Sequence, residues 1–117
     1  MSVNKRKIGS VYEDKASEYL IALGYRIVER NFRCRLGEID IVAFDGDVLV
    51  FAEVKYRADS MESALEAITR GKREKVSKTA EYYIYKRKIP DDIPMRFDAV
   101  CITCERIKLI KNAFSCL

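Results

Sequence analysis

Histidine is absent from the 117 residues, prolines number two, glycines five and cysteines four. Without histidine there are no Ser-His or Cys-His nucleophilic schemes and no imidazole ligands of the kind catalytic zinc ordinarily uses. Any chemistry therefore falls to carboxylates and lysines. The cysteines, Cys34, Cys101, Cys104 and Cys116, sit in a chain that is 49% hydrophobic and needs no disulfide framework to build a core, so they are read as reduced thiols. Cys101 and Cys104 make one C-x-x-C, but residues three apart on a strand point to opposite faces and nothing else completes a zinc shell. No apolar run approaches the length of a transmembrane span, and Lys5, Arg6 and Lys7 lead into a charged helix instead of a signal-peptide core. A cytoplasmic protein with no membrane partner is expected.

The 22 Lys and Arg against 18 Asp and Glu leave a net charge of +4, which permits a polyanionic partner without requiring one. The length and apolar content suit one folding unit, with residues 1–8 as a loose basic arm and residues 9–117 as a single domain. Tyr12, Ala16, Tyr19, Leu20 and Leu23 recur at helical spacing, with Ser10 as a cap and Gly24 as a stop. Residues 25–32 alternate loosely and carry arginines, as an edge strand does. Two strong strands follow, about 38–44 and 48–56, joined by Asp45-Gly46-Asp47 as a hairpin. Helical segments over 60–68 and 72–87 are separated by Gly71, and strands over 95–102 and 107–110 close the chain. The order α-β-β-β-α-β-β, its middle helical stretch broken in two, implies an α/β sandwich with a central mixed sheet flanked by helices.

The hairpin carries the chemistry. A two-residue turn at Gly46-Asp47 sets Asp40 opposite Glu53 and Glu38 opposite Lys55; a turn at Asp45-Gly46 sets Asp40 opposite Phe51, with Glu53 a diagonal neighbour on the same side. A bulge would move one set across the sheet. Toward the turn the same face carries Val42, Phe44, Leu49 and Phe51, so an apolar face turns charged at one end, as at a cleft on the edge of a core. Two carboxylates about 4 Å apart repel by about 4 kcal/mol at an effective dielectric near 20, and a proton, an ammonium or a metal ion must offset that. Mg²⁺ takes one or two carboxylates and leaves positions for water and phosphate oxygens, a requirement Asp40 and Glu53 meet, with Lys55 placed to orient the water. The bland alternative is a cross-strand ion-pair ladder, Glu38 with Lys55 and Asp40 with an arginine, at about 0.2 to 1 kcal/mol per pair.

Asp40 followed by Glu53-Val54-Lys55 resembles the PD-(D/E)xK nuclease signature, although Ile39 stands where that signature has proline. The wider text (Gly9, Glu13 and Ala16; Gly24-Tyr25; Arg30-Asn31-Phe32-Arg33; Gly37-Glu38-Ile39-Asp40; Glu53-Val54-Lys55-Tyr56-Arg57; Lys72; Arg96-Phe97-Asp98) resembles the YraN family over nearly the whole chain. That resemblance implies a restriction-endonuclease-like fold related to archaeal Holliday-junction resolvases and a Mg²⁺- or Mn²⁺-dependent DNA endonuclease. It also implies Asp40, Glu53 and Lys55 as the active triad, the Val54 carbonyl as a metal ligand, Glu13 as a carboxylate near the metal and, by analogy with resolvases, a homodimer. For Glu13 a capping box with Ser10 is the structural alternative. Glu38 is a secondary acidic contributor. Arg33, Arg35, Arg57 and Lys72 are the candidate phosphate contacts, Arg57 and Lys72 preferred, among flanking basic residues that also include Arg70, Arg73, Lys75 and Lys78, for which a solvated helix face is the alternative. A non-catalytic nucleic-acid binding or partner-docking module on the same fold remains the rival.

Overall fold

The computed structural model describes residues 5–69 and 73–113. Its elements are α1 (Lys5–Ala22), β1 (Arg26–Cys34), β2 (Gly37–Asp45), β3 (Val48–Tyr56), α2 (Met61–Thr69), α3 (Arg73–Lys86), β4 (Met95–Ile102) and β5 (Ile107–Ile110). One five-stranded sheet runs in the order β1-β2-β3-β4-β5. Only β3 and β4 pair in parallel; the other neighbours are antiparallel. A parallel pair needs a crossover, and α2 with α3 supplies it. This is the expected mixed α/β sandwich, consistent with a restriction-endonuclease-like fold.

Strand alternation sends side chains to both faces, and each face is covered. Ala16 and Leu20, one turn apart on α1, pack with Ile41, Ala43, Val50, Ala52, Val100 and Ile102. On the other face α3 buries Ala80 and Tyr83 against Val42, Leu49 and Phe51, while α2 sets Ala64 and Ile68 on Ala99 and Cys101. The end of α1 is held by Gly24 at φ 98°, the Gly24 N–H donating to the Ile21 carbonyl and the Tyr25 N–H to the Leu20 carbonyl, each at 2.9 Å. Those two bonds form a Schellman stop, with Tyr25 and Leu20 sharing one core as its apolar contact.

The β2–β3 register decides between the two turns. Asp45 pairs with Val48 and Ile41 with Ala52, so Gly46 and Asp47 form the turn, with positive φ at Gly46 alone as a type II′ turn requires. The bulge lies elsewhere, in β1 between Ile27 and Glu29. At its other end α1 starts at Lys5, ahead of Ser10, so Ser10 is not its cap and part of the expected basic arm is helical. Glu13 thus sits inside a helix, away from the position a capping box needs. Cys101 is buried on β4, whereas Cys104 is exposed in the turn beyond that strand, so the C-x-x-C does not lie on one strand as expected; Cys116 lies outside the described residues.

A buried polar knot ties β4 to α1's exit. Asp98 is fully buried, and its carboxylate accepts from Arg96 Nε at 2.8 Å, the Tyr25 hydroxyl at 3.0 Å and the Asn112 N–H at 3.0 Å. Arg96 also reaches Asp45 at 2.8 Å. Removing one member of such a pair strands the other charge at a cost of about 3 to 5 kcal/mol. Arg96→Ala should therefore lower unfolding free energy by about 3 kcal/mol in urea titration.

Candidate metal and phosphate site

The β2–β3 ladder is paired from Asp45 and Val48 as far as Ile41 and Ala52. At Asp40 the pairing is taken over by a side chain: Asp40 Oδ2 accepts the Val54 N–H at 2.8 Å. On its other side, Arg30 pairs with Ile41 and Phe32 with Ile39, leaving Asn31 opposite Asp40 in a left-handed conformation at φ 55°. Asparagine tolerates that conformation better than most residues. Alternation breaks here, since Ile39 joins Val42 in the α3-side core although their numbers differ by an odd step. The break swings the Asp40 carboxylate toward α1 and the start of β2.

Three carboxylates converge as a result. One oxygen each from Glu13, Glu38 and Asp40 lies within 4.8 Å of the others. Glu13 comes from the middle of α1, which is pressed on the end of β3 by a Tyr12–Tyr56 ring stack with centroids 4.1 Å apart. Glu38 and Asp40 are two residues apart on β2. At this spacing each ionised pair repels by about 3 kcal/mol at an effective dielectric near 20. Cations relieve part of it: Arg33 Nε is 2.8 Å from Glu38, and Arg30 is 3.9 Å from Glu13 while pairing mainly with Asp14 at 2.7 Å.

Protonation relieves the rest. Burial raises the Asp40 carboxyl to about 7 against an ordinary 3.8; the Val54 N–H opposes the rise, and the Glu13 and Glu38 charges and a hydrogen bond shared with Glu38 add to it. Burial also raises Glu13, against the pull of a hydrogen bond from Asn31 and the charge of Arg30. A carboxyl held up by burial and, to a lesser extent, by neighbouring carboxylates is one at which a cation could take the place of the proton.

A cavity of 490 Å³ opens beside this set, lined by Gly37, Glu38, Asp40 and Glu53 with Ala67 of α2 and Lys75 and Val76 of α3. Glu53 is buried on β3 and reaches the cavity from the sheet face it shares with Phe51. Lys55 lies two residues further on the same strand, in register with Cys101 of β4. Gly37 permits the cavity's narrow floor, because a Cβ there would stand 2.9 Å from Thr79 Oγ1 on α3. The clustered donors are all carboxylate oxygens, a hard set that could hold a metal ion.

Glu38 and Asp40 belong both to the carboxylate cluster and to the cavity wall, whereas Glu13 belongs to the cluster and Glu53 to the wall. Arg33 arrives there through Glu38, whereas Arg35 is exposed on the β1–β2 turn. The Arg57 guanidinium donates to the Tyr56 carbonyl at 2.9 Å. Lys72 and Arg70 lie outside the described residues, and Lys75 is the helical lysine that lines the cavity. Asn31 and the Tyr12–Tyr56 stack are structural supports of the cluster that periodicity does not reveal. Only the unusual asparagine within a strand segment signals the first.

The model of an uncharacterised protein family, UPF0102, matches residues 12–102, a span that runs from α1 to the end of β4 and holds every acidic residue of the site. A UPF0102 protein of Lachnoclostridium phytofermentans is 48% identical over 114 residues, covering 96% of each chain. One from Caldicellulosiruptor saccharolyticus is 42% identical over 119 residues, covering 96% of this chain and all of its own. A third, from Clostridium botulinum (strain Loch Maree / Type A3), is 46% identical over 116 residues, covering 93% and 94%.

Proton linkage at Asp40 gives a stability test. Between pH 3.8 and about 7 the folded chain keeps a proton that the unfolded chain has released, so stability falls as pH rises through that window. In chelator, the melting temperature at about pH 8 is expected below that at about pH 5, and Asp40→Asn should flatten the difference in differential scanning fluorimetry.

Proposed function

The chain belongs to the uncharacterised protein family UPF0102, and we propose that it is a metal-dependent endonuclease hydrolysing DNA phosphodiester bonds, with branched or single-stranded DNA as substrate. The single observation that carries this reading is the meeting of Asp40, Glu38 and Glu53 in one cavity with Glu13 beside it. The resemblance to PD-(D/E)xK nucleases assigns Asp40 and Glu53, together with Lys55 and Glu13.

Asp40 and Glu53 would hold Mg²⁺ or Mn²⁺, with the Val54 carbonyl and Glu13 as further oxygen donors and Glu38 at the rim. A divalent ion there would lower the pKa of a bound water and offset charge building on the phosphate. The chain's own side chains do the remainder. The Val54 N–H keeps Asp40 from rotating away. Lys55, on the strand that presents Glu53, orients the attacking water and adds positive charge. Lys75, which lines the cavity, and Arg33, paired with Glu38, would position the phosphodiester for in-line attack.

One observation favours the rival, a non-catalytic nucleic-acid binding module: Glu38 and Glu13 already have arginines at 2.8 and 3.9 Å. Cleavage separates the two. Purified protein with Mg²⁺ or Mn²⁺ should nick labelled flapped or single-stranded DNA, and Asp40→Asn or Glu53→Gln should lower the rate at least about a hundredfold. Salt-sensitive binding with no cleavage by the wild-type chain would favour the rival, and cleavage unchanged in both variants would sink the nuclease.

A further inference from the structure

We infer that the groove between the β1–β2 turn and the end of α3 takes an unpaired DNA nucleotide, its base stacked on Tyr82 and its backbone held by Arg35 and Lys86. This inference deepens the nuclease reading and rests on it for the nature of the substrate. The groove encloses 620 Å³ and is lined by Arg33, Cys34, Arg35, Leu36, Tyr82 and Lys86. Three of the six are cations and none is a carboxylate, a lining complementary to a phosphodiester backbone.

The aromatic part is braced for stacking. Tyr82 is half-buried, and Phe32 supports it at a centroid distance of 6.2 Å and an interplanar angle of 35°. Tyr85 leans on it at 6.4 Å and is itself 79% exposed. Lys86 Nζ sits over the Tyr82 ring, 5.8 Å from its centre, so a base takes that face as the flexible lysine swings its ammonium to the phosphate. A supported ring beside cations is the combination that sequence-tolerant single-strand binding uses, since every base has a π-face. A base inside a duplex has both faces covered by its neighbours, so only an unpaired one can take up the ring.

The groove and the acidic cavity are adjacent along the chain. Leu36 lines the first and Gly37 the second, and Arg33, which lines the groove, is bonded to Glu38 in the cavity. A strand with one base on Tyr82 therefore passes a phosphate toward Asp40. The substrate class that follows is a flap, gap or splayed junction arm, with unpaired nucleotides beside the cut.

Fluorescence anisotropy of the full chain with a labelled oligothymidylate and with a blunt duplex of equal length tests this, both in EDTA so that cleavage does not intervene. The single strand should bind at least about tenfold more tightly than the duplex. Tyr82→Leu, which keeps an apolar side chain against Phe32, should lose about tenfold in single-strand affinity and nothing for duplex. Lys86→Ala should reduce the steepness of log affinity against log salt by about 0.7. Circular dichroism checks the fold, and if Tyr82→Leu does not fold, the exposed Tyr85→Ala with an expected loss of about fivefold takes its place. Equal binding of single strand and duplex, or wild-type single-strand affinity in the tyrosine variant together with an unchanged salt slope in Lys86→Ala, overturns the groove. Groove binding by a protein that never cleaves would sink only the nuclease reading, and cleavage by a protein whose Tyr82 variant binds normally would sink only the groove.

Discussion

The Asp40 carboxylate accepts the Val54 N–H where the β2–β3 ladder stops pairing, and the site is built on that bond. It holds a carboxylate at the end of an apolar sheet face, with Glu38 two residues before it and Glu53 entering from the next strand. Asn31 across the β1 side and Glu13 from α1 complete the enclosure. The enclosure raises the proton affinity of Asp40 and Glu13. Burial and like charge are thus spent on making one spot attractive to a cation, at a cost in stability that the metal-free protein bears above neutral pH.

Elsewhere the same physics is resolved differently. Asp98 is more deeply buried than Asp40, yet it is surrounded by Arg96, Tyr25 and a backbone N–H that satisfy its carboxylate. The Arg96-Phe97-Asp98 text that contributes to the family resemblance is thereby accounted for by structure: it anchors β4 and the exit of α1 to the hairpin turn at Asp45. The acid with matched donors is architectural, and the acids crowded together are the candidate site.

Much of this was readable from residue order. The Ile-, Val- and Phe-rich runs on either side of Asp45-Gly46-Asp47 announce the hairpin, and Gly24 announces the end of α1, because each depends on local backbone chemistry. The choice of turn was not readable, since Gly46-Asp47 and Asp45-Gly46 are both acceptable locally and only the register Ile41 with Ala52 separates them. Nor was the start of α1, where Ser10 looked like a cap but lies within the helix. The role of Glu13 hung on that error. The convergence of Glu13 and Glu38 on Asp40 depends on a conformation at Asn31 and on the Tyr12–Tyr56 stack, both products of tertiary packing. Lys75 escaped preference because helical periodicity aligned Lys72 with the inner face, while the cavity wall is formed one residue before Val76.

The central claim is that Asp40 anchors a divalent ion. The most direct measurement is a crystal soaked in Mn²⁺ with anomalous data collected to locate the metal. The account predicts an anomalous peak about 2.1 Å from an Asp40 carboxylate oxygen, with Glu53 or Glu13 among the other ligands. Full-occupancy Mn²⁺ bound only away from the cavity, with Asp40 still protonated against Glu38, would contradict it.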